Sequence, residues 1–482
     1  MLATEARAKL YQHQLEGLDF IKRHRRVLLA DEPGTGKTAI VLTALAEHPG
    51  KSIVVCKGAL RPNFADEMDF WFPDVRYQVV LNKTEIDPDA ELFITAFNTL
   101  PPRIADLRAL PLTALAVDES HYLKNEEAQR TIAAFGLATE VLTSGDPLII
   151  AASATPGVSR PEELAAQLLL LGRMPEVSPS AGAFRHRYCD PKLTSRGSGK
   201  SEVWDFRGHS NLSELRHRLY GNNIVLRRRK SEVLELPSKT SVINWIETSG
   251  PEWSEYWFAN SEFVKWLQAT GKKVSDNYDP QVIEQMTALR RLSGEAKAGE
   301  VIRRVVERRK TETSPLVIMA HHRTVVERIE DGLTEAGMTV GKIIGGQTDK
   351  KRRTQIKAFQ NGDHDVIVCA IEAAAEGLTL TAARELWMVE LPFVPGRLQQ
   401  AEDRTHRVGQ TKPVIVRYML GRGVIDVRMR TALKVKAQVL YEMFDGELRV
   451  EDEPELPEIG DSHAASVIGD VSKAMISEAI AA

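Results

Sequence analysis

Cysteine is scarce: Cys56, Cys189 and Cys369 are the only three in 482 residues. They are far apart, give no Cys-x-x-Cys metal spacing and offer no disulfide framework, which fits a reducing compartment, cytoplasm or nucleus. Long apolar runs are missing too. The longest, Leu164–Leu171, is broken by Gln167 and is far too short to cross a bilayer. The first residues carry no secretory-signal pattern. A strong charge of either sign is also lacking, since the formal net charge is −3. A polyanionic partner is therefore not announced by the whole chain, and a site for one has to be a local patch. No short-period repeat is visible, which argues against a solenoid. What is present is 43% hydrophobic and 27% charged residues, an ordinary globular composition with room for two or three domains.

Short buried-strand patterns alternate with helical ones. Val27–Leu29, Ser52–Cys56, Leu92–Thr95, Leu112–Val117 and Leu148–Ala151 read as strands in the first half. The pattern restarts with Leu316–Met319, Val340–Ile344, Val366–Cys369, Leu386–Val389 and Val414–Tyr418, separated by helical stretches such as Thr324–Ala336 and Lys350–Phe359. That alternation predicts an α/β fold with two tandem lobes, each a parallel sheet covered by helices. Residues 173–310 differ: they hold long helical patterns, a Gly/Ser-rich stretch at Ser195–Gly199 and an aromatic cluster. They are expected to be helical protrusions from both lobes. The expected division is 1–236, 237–448 and an acidic tail over 449–482, with a linker near Leu236-Pro237-Ser238 and a short amphipathic helix over 464–482.

The segment Ala30-Asp31-Glu32-Pro33-Gly34-Thr35-Gly36-Lys37-Thr38 lies between a strand pattern and the helix pattern Ala39–Leu45. Strand, glycine loop and helix make a phosphate cradle, because loop and helix-terminal N–H groups face the anion. Lys37 can reach β- and γ-oxygens, and the Thr38 hydroxyl can hold Mg²⁺. Asp31 departs from the pattern, standing where the motif usually has its first glycine.

Asp118-Glu119-Ser120-His121 ends the strand pattern Leu112–Val117, where ligands of open α/β sheets sit. Asp118 can bind Mg²⁺ and Glu119 can polarise the attacking water. Ser153-Ala154-Thr155-Pro156 could relay the nucleotide state or be a simple turn. Gln14 could read adenine through its amide, or be a polar residue of an amphipathic helix. Arg404 and Arg407 are three apart and would share a helix face, from which they could neutralise charge on a γ-phosphate. A surface helix with Asp403 paired to Arg407 is the alternative.

In this order the blocks resemble those of superfamily-two helicases, specifically the Snf-type DNA translocases. Gln14 matches the adenine-reading glutamine, Asp31–Thr38 the phosphate loop, and Asp118–His121 the Asp-Glu-Ala/Ser-His box. Ile94–Leu100 resembles a nucleic-acid-contact block, and Glu376-Gly377-Leu378-Thr379-Leu380-Thr381 a block touching DNA and nucleotide. Arg404 and Arg407 fall on the two family arginines, with Gly409-Gln410 completing the signature. Phe184–Asp190, Gly208–Leu215 and Leu226–Pro237 look like the HepA-related annealing-helicase branch, whose N-terminal accessory domains are not seen here.

The resemblance implies two RecA-like lobes and a nucleic-acid-dependent ATPase. It implies ATP and Mg²⁺ as cofactors and duplex or forked DNA, held through its phosphates, as partner. The expected catalytic residues are Lys37, Asp118, Glu119, Arg404 and Arg407. Gln14, Gly34, Thr35, Gly36, Lys37, Thr38 and Gly377 are expected at the nucleotide, and Thr38 and Asp118 at the metal. An RNA-directed helicase, or the motor subunit of a larger repair or restriction assembly, are the alternatives. A small motor of this kind would suit a bacterium or phage.

The basic runs Arg227–Lys230, Arg290-Arg291, Arg303-Arg304 and Arg308–Lys310 are candidate DNA contacts, each otherwise a solvated or bracing segment. Trp253, Tyr256, Trp257, Phe258, Phe263 and Trp266 could stack on bases, but their i,i+3 and i,i+4 spacings favour a packed protrusion core. His321 and His322 are assigned no metal.

Overall fold

The computed structural model describes residues 6–157, 160–195, 202–271, 280–374 and 378–446. The chain forms two compact units, Met1–Leu234 together with Val439–Leu448, and Glu235–Gln438. Each is an α/β lobe built on a parallel sheet.

In the first unit, helix α1 (Gln12–His24) precedes β1 (Arg26–Leu29), and α2 (Lys37–Ala46) follows it. The remaining strands are β2 (Lys51–Cys56), β3 (Tyr77–Val79), β4 (Leu92–Ala96), β5 (Leu112–Asp118), β6 (Leu148–Ala152) and β9 (Val225–Leu226). They form one parallel sheet in the order β3-β4-β2-β5-β6-β1-β9. β2, β4 and β6 are almost wholly apolar because helices cover both faces of the sheet. Successive side chains alternate between two cores: Val27 and Leu29 pack on one face with Ile40 and Leu42 of α2, and Leu28 and Ala30 on the other. Val439, Met443 and Phe444 join that second core. β6 lies between β1 and β5, so the loops after β1 and β5 open at the same edge of the sheet.

Two further strands, β7 (Lys192–Ser195) and β8 (Glu202–Asp205), pair as a separate antiparallel ribbon. In the second unit, β10 (Lys239–Ile246) precedes α3 (Ser254–Thr270) and α4 (Pro280–Arg309). Then come β11 (Leu316–Ala320), β12 (Val340–Ile343), β13 (Val366–Ala370), β14 (Glu385–Met388), β15 (Val414–Gly421) and the last helix, α5 (Ile425–Phe444), which belongs to this unit as far as Gln438. The sheet is parallel, in the order β10-β15-β14-β11-β13-β12.

Three sequence expectations change. Residues 173–310 contain helices but also β7 to β10, which were not expected. β9 and β10 are edge strands, and β10 is exposed or only half-buried over most of its length, so neither needs an apolar run. The basic runs on and after α4 are engaged locally: Arg291 with Glu295, Arg303 and Arg304 with Glu300, Arg308 with Glu385, Arg309 with Asp365 and Lys310 with Glu307. Arg290 is buried, its guanidinium over the Phe393 ring. Lastly, Val439–Leu448 belongs to the first unit, whereas the sequence division gave it to the second.

The aromatic cluster is largely core, since Trp253, Tyr256 and Phe263 are buried, although Phe258 is 69% exposed. Lys297 of α4 is fully buried and donates to Asp426 at 2.6 Å and to the Met419 carbonyl at 3.1 Å, fastening the helix to its sheet. The acidic segment 451–461 and residues 464–482 lie outside the described residues. No described helix is long and apolar enough to cross a membrane.

Candidate active site

The loop after β1 turns through Gly34 and Gly36, both at φ +82°, the left-handed region that suits glycine. A Cβ on Gly36 would lie 2.1 Å from Gln14 Nε2. The loop is fixed from α1: Gln14 Nε2 donates to Thr35 O at 3.3 Å, His13 Nε2 lies 2.8 Å from the same oxygen, and the Tyr11 amide donates to Gln14 Oε1. The Gln14 amide is thus engaged with the loop, and contact with adenine would exchange these bonds. Thr35 Oγ1 donates to Glu32 O across the turn.

Lys37, the first residue of α2, folds its ammonium onto the loop, donating to Asp31 O at 2.7 Å and Glu32 O at 3.0 Å. Burial lowers its pKa, while Asp31, Glu119 and Asp118 favour the charged form. Two loop carbonyls are weak partners for a buried cation, so an incoming anion has an ammonium to claim. Thr38 follows in the first turn of α2.

Asp118 closes β5, and Glu119 sits in the left-handed region at φ 51°, uncommon for a side chain of this size. Burial and the neighbouring Glu119 charge push the Asp118 carboxyl up. Burial acts the same way on Glu119, but His121, Lys57 and Lys37 outweigh it and lower its pKa. His121 Nδ1 lies 2.9 Å from Ser153 Oγ and 3.2 Å from Glu119 Oε2. Ser153 Oγ also accepts from the Thr155 amide, so the loop after β5 and the turn after β6 share one hydrogen-bonded chain.

The Arg227–Lys230 run, which follows β9, braces this site. Arg228 makes a buried ion pair with Asp31, and the Lys230 amide donates to Glu32 Oε2 at 2.9 Å. The unusual Asp31 is therefore a structural acid whose partner comes from the run that follows β9. Sequence reasoning missed that pairing, because nothing local to Asp31 announces it.

It also missed Lys57 and Arg61, which lie beside the Ile94–Leu100 block at the carboxyl ends of β2 and β4. Arg61 Nη1 donates to Thr99 Oγ1 at 3.3 Å, Asn98 is exposed, and Lys57 lies over the Tyr122 ring, which stacks on Phe97. The available signal was Cys56-Lys57-Gly58, a cation and a glycine directly after a strand.

In the second unit, Arg404 and Arg407 are not on a helix. The helix before them ends at Glu402, and both lie in the turn that follows. They still converge: Arg407 Nη1 donates to Leu378 O at 3.1 Å and Arg404 Nη1 lies 3.5 Å from it. Gln410 pins the turn, its Nε2 within 3.1 Å of the carbonyls of Thr381, Ala383 and Thr405. Gly377 and Glu376 lie outside the described residues.

The family model described as the SNF2-related domain matches residues 13–297. The chain belongs to the SNF2 family. The helicase conserved C-terminal domain matches residues 297–409. Mouse "DNA annealing helicase and endonuclease ZRANB3" is 30% identical over 469 residues, covering 92% of this chain and 42% of that protein. The SWI/SNF-related matrix-associated actin-dependent regulator of chromatin subfamily A-like protein 1 of Xenopus tropicalis is 30% identical over 443 residues, covering 90% and 45%. The chain thus spans less than half the length of these SNF2 relatives. Among solved structures, the Sulfolobus solfataricus SWI2/SNF2 ATPase core in complex with dsDNA is similar at 18% identity and a TM-score of 0.42, covering 90% of this chain and 92% of that one. Membership of the SNF2 family implies use of ATP.

Proposed function

We propose that the chain is an ATP-driven DNA motor, coupling hydrolysis to movement on duplex or forked DNA and remodelling or annealing its strands. The observation that carries this reading is the placing of Lys37, Asp118 and Glu119 at one edge of the first sheet, after the parallel strands β1 and β5. Gly34, Thr35 and Gly36 form the phosphate cradle, Lys37 neutralises the β- and γ-oxygens, and Gln14 selects the base. Glu119, its pKa lowered by His121, Lys57 and Lys37, orients the attacking water and takes its proton.

Thr38 and Asp118 fit a divalent cation, because Asp118 is a half-buried carboxylate beside a second one and a cation would relieve that repulsion. Bound Mg²⁺ would supply charge neutralisation on the phosphoryl oxygens. Arg404 and Arg407 supply the guanidinium charge for the γ-phosphate. Lys57, Arg61 and Asn98 offer donors for DNA phosphates, which position the track without reading sequence. The names of the relatives, an annealing helicase and a chromatin regulator, support DNA over RNA.

The test is steady-state ATPase activity without nucleic acid and with single-stranded, duplex and forked DNA or RNA, beside Lys37→Ala. Stimulation by duplex or forked DNA, lost in Lys37→Ala, is expected. Stimulation by RNA alone would overturn the DNA assignment.

A further inference from the structure

We propose that Asp445 is a positioning residue for ATP hydrolysis, holding the Arg227 guanidinium that ties the phosphate loop to the Ser153–Pro156 turn. The inference rests on the ATPase reading above. Arg227 leaves β9 with its side chain only 7% exposed. Its Nη1 donates to Ala30 O at 3.0 Å and to Ala154 O at 3.1 Å. Ala30 is the last residue before the phosphate loop. Ala154 lies between Ser153, which meets His121, and Thr155. One guanidinium therefore ties the residue that enters the phosphate loop to the turn that meets His121.

Two carbonyls do not balance a buried charge. Asp445 does, accepting from Nε at 2.9 Å and from Nη2 at 3.2 Å, with its own side chain 6% exposed. Asp445 belongs to the Val439–Leu448 return segment and lies beyond residue 409, where the second family match ends. The segment is anchored independently, since Tyr220 donates to Phe444 O at 2.8 Å and Met443 fills the space over Gly157.

The experiment uses the full chain and three variants: Asp445→Asn, Asp445→Glu and Tyr220→Phe. Titration with fluorescent mant-ADP counts competent sites, and kcat per site and KM for ATP are read with and without duplex DNA. Asp445→Asn should bind with wild-type stoichiometry, lose about tenfold in kcat per site and shift KM by about threefold or more. Asp445→Glu should recover to within about twofold, and Tyr220→Phe should match wild type, because it loosens the segment and leaves the Arg227–Asp445 pair in place.

Turnover per site and KM within about twofold of wild type in Asp445→Asn would overturn the proposal. If Asp445→Asn binds no nucleotide, Arg227→Lys decides, since an ammonium gives up the two-point guanidinium grip on Asp445 while keeping the charge. Normal turnover in Arg227→Lys overturns the proposal, and reduced turnover at full stoichiometry supports it. Wild-type activity indifferent to every nucleic acid would refute the DNA motor instead, leaving the Asp445 comparison readable on basal turnover.

Discussion

Asp31 and Arg228 are 197 positions apart in the chain and form one buried ion pair, in which both the Arg228 amide and its Nε donate to Asp31 Oδ1, at 2.9 and 3.1 Å. The carboxylate is fully buried, so it depends on that partner. Arg228→Ala should destabilise the protein by about 3–5 kcal/mol, the cost of stranding a buried charge. Asp31→Gly, which restores the commoner loop residue, should be destabilising as well because it strands Arg228. Urea unfolding of the full chain measures both. A loss under about 1 kcal/mol in Arg228→Ala would show the pair to be incidental.

Glu119 is held in a strained backbone conformation, and His121, Lys57 and Lys37 lower its pKa. Glu119→Gln should keep nucleotide affinity and slow hydrolysis by roughly 10²–10⁴. Single-turnover hydrolysis beside mant-ATP binding separates the two. Wild-type turnover in this variant would remove Glu119 from the mechanism.

Arg404 and Arg407 both reach Leu378 O from a turn that Gln410 pins. Arg407→Ala should leave ATP binding intact and lower kcat by about 10³–10⁵, as expected for a guanidinium acting on transferring phosphate. Gln410→Ala should lower kcat less than Arg407→Ala, since it loosens the turn and leaves both arginines present.

Glu402 accepts from Lys239 Nζ at 2.9 Å and from the Tyr418 hydroxyl. Burial raises its pKa, but Lys239 and Tyr418 outweigh burial and hold it below the ordinary value of 4.5. The unfolded chain takes up this proton first as the solution is acidified. The stabilisation is therefore complete above that ordinary value and is lost as pH falls toward the depressed folded one. Glu402→Gln should cost about 2–3 kcal/mol at neutral pH, with the gap from wild type closing in acid. Paired urea melts from neutral to acid pH follow this, and a gap independent of pH would contradict it.

The sheets were legible in the sequence because Ile53–Val55, Phe93–Ile94 and Val366–Val368 are apolar on both faces, the mark of a strand between two helix layers. The phosphate loop and Asp118–Glu119 were legible because their chemistry is local. Asp31–Arg228 and Arg227–Asp445 were not, since each joins positions 197 and 218 residues apart and neither partner has a local pattern. Arg404 and Arg407 were placed on one helix face because they are three apart in the sequence. The helix stops at Glu402, and the Gln410 amide then holds a turn in its place.

Val439, Met443 and Phe444 are part of the core under β1, β5 and β6, which sets an order of events on the ribosome. Arg227 waits for a partner 218 residues downstream, on the order of 10–40 s at ordinary synthesis rates. During that interval the first lobe has its strands but not the last side chains of its core, and a buried guanidinium has no counter-charge. The earliest part of the chain to be made is thus among the last to be finished.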